Sequence, residues 1–171
     1  MRRLAILALT GSLLLPVVVH AETGELPTAA IAPTMSLSSE TFARNASLAG
    51  LFDLQSAELA LERAKDADIL KLAREIVEEQ SLANSRLRAF APRHSVTELS
   101  GEYAASLERL KAAKAEEFDA VFLELQKASH RKTVALLERY QQTGEDDMLK
   151  AYASETLPFL KLHQSRVESL R

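Results

Sequence analysis

The chain of 171 residues has no cysteine and no tryptophan, and glycine and proline occur only five times each. Without cysteine it can form no disulfide bond, thiolate metal site, cysteine nucleophile or lipidated N-terminal cysteine. Hydrophobic residues make up 47% of the chain but aromatic residues only 5%, because leucine and alanine supply most of the apolar content. This composition favours helices and argues against a β-sandwich, a β-barrel or a disordered chain.

Charge and motif content narrow the function classes further. A formal net charge of −3, from 21 basic and 24 acidic residues, gives no basic surface for nucleic acid. The sequence has no glycine-rich phosphate loop, no Gly-x-Ser-x-Gly motif and no His-Glu-x-x-His motif. We therefore expect no nucleic-acid partner, and we identify no catalytic residue.

Residues 1–21 have the features of a secretory signal peptide. Arg2 and Arg3 supply the positive start, an uncharged apolar run follows, and Ala21 ends a cleavage site. A membrane anchor is the alternative, but the run is shorter than the roughly 20 residues that a spanning helix needs. We expect export to the bacterial periplasm or cell exterior. The mature chain would then start near Glu22, with no later transmembrane segment.

The rest of the chain divides into a leader and a helical domain. Residues 22–37 contain two prolines, one glycine and several alanines and threonines, a composition typical of a flexible leader. In residues 38–171 apolar side chains recur at spacings of three and four, as one face of an amphipathic helix requires. This period predicts four long helices, over residues 39–65, 67–91, 116–142 and 146–170.

Local signals mark the ends of these helices. A serine precedes the first helix and an aspartate the second, and both are good N-cap residues. The segment Ser95–Glu98 matches a capping box and predicts an extra short helix before the third long one. Pro158 lies inside the fourth and predicts a kink there. Four long amphipathic helices with short connections predict an all-α, antiparallel four-helix bundle.

Each long helix carries one polar residue on or beside its apolar stripe. In chain order these residues are Asp53, Gln80, His130 and His163. At a rise of about 1.5 Å per residue, Asp53 and Gln80 lie equally far from the turn between the first two helices. His130 and His163 are likewise balanced about the turn between the last two. Because both turns lie at one end of such a bundle, we expect the four side chains to share one layer of the core.

This cluster has two interpretations. A lone buried carboxylate costs several kcal/mol, so Asp53 needs partners, and the cluster can be a satisfied polar network that fixes the helix register. Alternatively, Asp53, His130 and His163 can bind a transition metal or a small ligand. Ferritin-type dinuclear centres need Glu-x-x-His on two helices. Lys127 and Leu160 stand three residues before the two histidines, so we do not expect such a centre.

Four segments resemble the exported helical family called domain of unknown function 4142, across residues 39–170. The resemblance implies a ferritin-like fold and a periplasmic or envelope location. It implies no activity, because the function of the family is open. The segments are LFDLQSAELALERA (51–64), ILKLAREIVEEQSLAN (69–84), EFDAVFLELQKASH (117–130) and LPFLKLH (157–163).

Individual positions carry this resemblance. Asp53 stands where the family usually has an acidic residue, Asp119 and His130 match its Phe-Asp pair and following histidine, and His163 matches its Leu-Pro…His pattern. The second segment departs from the family, which usually has Asp-His where this chain has Glu79-Gln80. An amide is a poor transition-metal ligand, so this departure would weaken a family metal site.

The sequence thus predicts a non-catalytic binding or structural module of the cell envelope. It would recognise an envelope protein, or a second copy of itself, through an outer helix face. The alternative is a metal- or small-ligand-binding bundle that uses Asp53, His130 and His163, with Gln80 as a hydrogen-bonding residue. A transition metal is the one cofactor that the pattern suggests.

Overall fold

A computed structural model describes residues 36–170, and in this part of the chain all regular secondary structure is helical. The predicted all-α class is confirmed. The predicted signal peptide at 1–21, and the predicted leader at 22–37 except for its last two residues, lie outside the described residues. The helices are α1 (Ser39–Arg63), α2 (Ala67–Phe90), α3 (Gly101–Ala112), α4 (Phe118–Thr143) and α5 (Asp147–Ser169).

Local capping explains where three of the helices begin. Ser38, Asp66 and Asp146 each accept a hydrogen bond from a backbone N–H of the first turn of α1, α2 and α5, at 2.8–3.2 Å. These bonds satisfy N–H groups that the start of a helix leaves without a partner. The signals are local in sequence, and the observed bounds of the four long helices lie within two residues of the predicted ones.

The predicted short helix exists as α3, but it begins later than predicted. The capping box predicted at Ser95–Glu98 is wrong, because a side chain of α1 holds this segment in place: Val96 N donates to Ser47 Oγ at 2.9 Å. The chain enters α3 only at Gly101, whose φ of 59° is a left-handed conformation that glycine adopts without steric cost. A contact with another helix, not a local motif, sets this boundary.

The long helices pack as two pairs that also contact each other. α1 packs against α2 and α4 against α5, while α1 contacts α4 and α2 contacts α5. The short helix α3 lies against α1 and α4. α5 continues as a helix through Pro158. Among the helices of residues 36–170, none combines the length and apolar character that crossing a membrane would require.

The apolar core consists of two clusters, and each takes side chains from all four long helices. The first apolar cluster includes Phe52 and Phe122, and the second includes Phe42, Leu137 and Tyr140. In the second cluster the rings of Phe42 and Tyr140 stack with their centroids 3.9 Å apart. Between the two clusters, each long helix contributes buried polar residues instead of apolar ones. This gap in the apolar core is where the candidate site lies.

Candidate functional site

Polar side chains form a layer across the core, between the two apolar clusters. Asp53 and His130 are fully buried, and His163 and Gln80 are only 2% and 5% exposed. Gln80 Nε2 lies 3.2 Å from Asp53 Oδ2, and the ring centroids of His130 and His163 are 5.7 Å apart. The structure therefore brings together the four side chains that the sequence singles out. We term this set the polar layer.

Asp53 is the hydrogen-bond acceptor at the centre of the polar layer. Its Oδ1 accepts from Ser129 Oγ at 2.7 Å, and its Oδ2 accepts from Gln80 Nε2 at 3.2 Å. Burial raises the pKa of Asp53, while His130 and the two hydrogen bonds oppose that rise. Each carboxylate oxygen thus accepts a hydrogen bond from a neighbouring side chain.

Three further polar residues of the core escape sequence reasoning. Ser129 bonds to Asp53, and beside it Gln126 Nε2 donates to Ser56 Oγ at 2.7 Å. Ser56 Oγ also lies 2.7 Å from the carbonyl oxygen of Phe52, one turn earlier in α1. A serine within a helix is small enough to pass for part of an apolar stripe. The sequence gives no signal beyond the helical spacing of these residues from Asp53 and His130.

One ring nitrogen of His130 is hydrogen-bonded, and the other has no hydrogen-bond partner among the described residues. Its Nδ1 lies 3.0 Å from the carbonyl oxygen of Gln126. Because a carbonyl oxygen only accepts hydrogen bonds, Nδ1 carries the hydrogen, and in the neutral ring Nε2 keeps its lone pair. This Nε2 atom is buried and has no hydrogen-bond partner among the described residues. Metal-binding histidines show this arrangement, with one nitrogen bonded to a carbonyl and the other facing the metal.

Glu79 lies beside His163 at the outer edge of the polar layer. His163 Nε2 and Glu79 Oε2 are 3.0 Å apart, but their geometry is not that of a hydrogen bond, and neither atom has a hydrogen-bond partner in the described part of the chain. The Glu79 side chain is one-third exposed. Two donor atoms this close can share one ion at the roughly 2.0–2.2 Å of transition-metal bonds to nitrogen and oxygen.

Burial and proximity set the protonation of this pair. Burial, and then the neighbouring His130, lower the pKa of His163 to about 4. His163 is therefore neutral at pH 7 and retains a lone pair. Burial, and then the charge of Glu78, raise the pKa of Glu79. Sequence reasoning does not select Glu79 as a site residue, because it lies about 100° around the helix from Gln80 and so points outward from the apolar stripe.

A cleft between α2 and α5 leads from the surface to the polar layer. Its empty volume, including solvent at the mouth, is about 480 Å³. Gln80 and His163 form its inner end, and exposed apolar side chains such as Leu82 and Phe159 form its rim. The remaining lining residues are Glu79, Ala83, Arg86, Glu155, Thr156 and Leu160.

The candidate metal ligands Asp53, His130 and His163 do not surround a common point. Within residues 36–170, no group of three or more His, Asp or Glu side chains is arranged to hold a metal ion. Each Asp53 oxygen accepts a hydrogen bond instead, from Ser129 or from Gln80. Among the histidine nitrogens and carboxylate oxygens of this region, His130 Nε2, His163 Nε2 and Glu79 Oε2 are buried without a hydrogen-bond partner in the described part of the chain.

The protein is an all-helical domain with buried histidines and a buried carboxylate in its core. The family model of domain of unknown function 4142 matches residues 24–170, so the chain belongs to that family. The resemblance drawn from the sequence segments is thereby confirmed. No curated protein matches the chain by sequence.

Two solved structures of CopM have a similar fold. The Cu(II)-bound form of CopM superposes with a TM-score of 0.67 at 15% identity, over 78% of this chain and 95% of that chain. The Cu(I)-bound form gives a TM-score of 0.64 at 16% identity, over 75% of this chain and 91% of that chain. At these identities the likeness concerns the fold alone.

Proposed function

We propose that this chain is an exported, non-catalytic envelope protein that binds one transition-metal ion. Its domain, residues 38–171, would be an antiparallel four-helix bundle of the ferritin-like type. The signal-peptide features of residues 1–21 support export, and the pairwise contacts of α1, α2, α4 and α5 support the bundle. The copper-bound forms of CopM, a protein of similar fold, support the choice of a metal as ligand.

One observation carries the proposal: His163 Nε2 and Glu79 Oε2 lie 3.0 Å apart, and both atoms, like Nε2 of the neighbouring His130 ring, are buried without a hydrogen-bond partner among the described residues. An unpaired buried polar atom costs about 1–3 kcal/mol, so three of them in one place are expensive unless a ligand satisfies them. Two imidazoles and a carboxylate are a known ligand set for copper and zinc. We assign His130, His163 and Glu79 as the metal ligands. Asp53 and Gln80 support them by hydrogen bonding.

This assignment modifies the ligand set expected from the sequence. Glu79 replaces Asp53, because Glu79 Oε2 lies 3.0 Å from His163 Nε2 and has no hydrogen-bond partner among the described residues, whereas both Asp53 oxygens accept hydrogen bonds. Only Glu79 and His163 stand at a separation that two ligands of one ion can have. The His130 ring must turn or shift to bring its Nε2 to the same ion, or a water molecule must complete the coordination. A single ion with open positions suits binding and transfer better than the dinuclear chemistry of ferritins.

The test is metal titration of the mature chain, residues 22–171, purified without a histidine tag. We expect one Cu(II) or Zn(II) ion per chain by elemental analysis and calorimetry. Paramagnetic resonance of the Cu(II) form should show two nitrogen ligands. His163→Ala should abolish stoichiometric binding. Glu79→Gln, which is isosteric and partly exposed, should weaken binding by about tenfold or more without unfolding the chain.

The matched control is His94→Ala. His94 lies in the connection after α2, away from the polar layer, so its loss should leave affinity and stoichiometry unchanged. Metal-free protein that shows no thermal shift with copper, zinc, iron or manganese would refute the proposal. Equal losses in His94→Ala and His163→Ala would refute the assigned site.

A further inference from the structure

One long face of the helical domain is uncovered, and exposed apolar side chains gather on it. The short helix α3 packs against α1 and α4, and within residues 36–170 no helix packs over α2 and α5 on the other side. Three of the five large hydrophobic side chains exposed in this part of the chain lie there, with Leu82 on α2 64% exposed and Phe159 and Leu162 on α5 51% and 47% exposed. We term the surface of α2 and α5 around these side chains the α2–α5 face. Exposed apolar groups gathered in this way are typical of a protein–protein contact.

Two ion pairs flank these apolar side chains, one toward each end of the α2–α5 face. Glu75 of α2 pairs with Arg166 of α5, and Arg86 of α2 pairs with Glu155 of α5 at 2.5 Å. The four side chains are between 27% and 50% exposed, so their charges reach the surface. An apolar centre with a polar rim is the usual anatomy of a protein–protein interface.

The charges have the same spacing on both helices but the opposite order. Glu75 to Arg86 and Glu155 to Arg166 both span eleven residues, which is about three helical turns or 16 Å. The ion pairs show that the two helices are antiparallel here, so each end of the face carries one charge of each sign. A twofold axis in the plane of the face and across the helices exchanges the two ends, and it places every charge opposite its counterpart. The face is therefore complementary to itself, as the interface of a twofold dimer must be.

The apolar centre follows the same symmetry. The axis crosses α5 midway between its two charged residues, and this point is also midway between Phe159 and Leu162. Phe159 of each copy would therefore lie opposite Leu162 of the other. Glu79 on α2 faces the cleft, where its Oε2 atom is buried beside His163, so the outer centre of the face is mainly apolar.

We propose that the α2–α5 face is a homodimer interface, formed with a second copy of this chain about this twofold axis. Charged residues would pair across the axis, Glu75 with Arg86 and Arg166 with Glu155 of the second copy, and the apolar centre would be enclosed between them. The mouth of the cleft opens between the same two helices, so the second copy would cover it. The inference goes beyond metal binding and does not depend on it.

Sedimentation velocity of the metal-free mature chain, residues 22–171, in a chelating buffer tests the inference. We expect a reversible monomer–dimer equilibrium at loading concentrations of about 1 µM to 1 mM. Phe159→Glu should weaken the dimer at least about 100-fold, because each interface would then bury two unpaired carboxylates. Leu61→Glu is the matched control. Leu61 is 37% exposed on α1, outside the α2–α5 face, so this change should leave the equilibrium as it is.

Exchange of one ion pair at a time tests the twofold arrangement. A first variant carries Arg86→Glu with Glu155→Arg, and a second carries Glu75→Arg with Arg166→Glu. Both keep two ion pairs within each chain, but in a dimer of either variant like charges would meet across the axis. We therefore expect each variant alone to dimerise at least about tenfold more weakly than the unmodified chain. In an equimolar mixture opposite charges meet again, so a heterodimer should form with restored affinity.

Three results would overturn the inference. The first is a chain that stays monomeric up to about 1 mM, as it would if a different partner occupied this face. The second is an equal effect of Leu61→Glu and Phe159→Glu. The third is charge-exchanged variants that dimerise as well alone as they do together. Because the chelator removes metal, none of these results bears on the metal proposal, and a failed metal titration leaves the dimer standing.

Discussion

At the scale of single residues, Gln80 is the position where a substitution tests the proposed metal site most directly. Its Nε2 donates to Asp53, and its side chain also lines the cleft next to His163. A histidine at this position could still donate an N–H to Asp53 and would present a second nitrogen toward the cleft. The family that the sequence resembles usually has histidine here, so Gln80→His introduces the usual family residue.

Gln80→His should therefore increase metal affinity. We expect about tenfold tighter binding of Cu(II) or Zn(II), because imidazole replaces an amide that is a poor ligand. Calorimetric titration of the metal-free variant measures the change, and paramagnetic resonance should count an additional nitrogen ligand on Cu(II). Gln141→His serves as the control, since Gln141 lies near the end of α4 and bonds to Ser154 in an exposed contact, away from the polar layer. Unchanged affinity in Gln80→His would show that position 80 does not reach the ion.

The four residues of the polar layer can be predicted from the sequence, because the helical period and the distance from a turn are both read along the chain. Asp53, Gln80, His130 and His163 stand out as polar residues on apolar stripes. The free nitrogen of His130 could not be predicted in the same way, because it depends on the three-dimensional approach of Nδ1 to a carbonyl. Glu79 escapes for a similar reason. Its outward direction indicates a solvated residue, and only the packing of α5 covers it.

At the scale of helices, Asp119 links two elements that are distant in sequence. It lies in the first turn of α4, and its carboxylate accepts from the backbone N–H groups of Lys65 and Asp66 at 3.0–3.3 Å. These N–H groups belong to the turn between α1 and α2, so the carboxylate holds that turn against α4. The Phe-Asp pair of the family resemblance thus has a structural role in this chain.

Asp119→Ala should destabilise the domain without changing ligand binding directly. We expect a loss of about 1–2 kcal/mol in the free energy of unfolding, because two backbone N–H groups lose a charged acceptor. Urea denaturation followed by circular dichroism measures this loss. Glu116→Ala, in the exposed turn just before α4, is the control and should change stability little. A similar loss in both variants would contradict this role, because it would show that removing any negative charge near the start of α4 has the same effect.

Helix ends divide into those that the sequence predicts and those that it does not. The starts of α1, α2 and α5 follow from capping residues within three positions of the bonds that they make. The start of α3 does not, because Ser47 of α1 binds the backbone of Val96 and keeps the preceding segment out of the helix. Capping rules describe a helix in isolation and carry no information about such a neighbour.

At the scale of the whole chain, the proposed export makes a specific prediction about processing. We expect the protein recovered from the periplasm to begin at Glu22, because signal peptidase accepts the small residue Ala21 before the cut. Intact-mass measurement of the periplasmic fraction checks this. Ala21→Leu should leave uncleaved precursor at the membrane. Recovery of the full-length chain from the cytoplasm, starting at Met1, would contradict export.

The two apolar clusters, which both take side chains from all four long helices, limit how the molecule can be divided. Both apolar clusters draw on α1 and α2 and also on α4 and α5, so neither helical hairpin has an interior of its own. Fragments cut in the connection between Pro92 and Ser100 would each leave half of both clusters in contact with water. We expect such halves to become ordered only when they reassociate, so that the polar layer forms only in their complex.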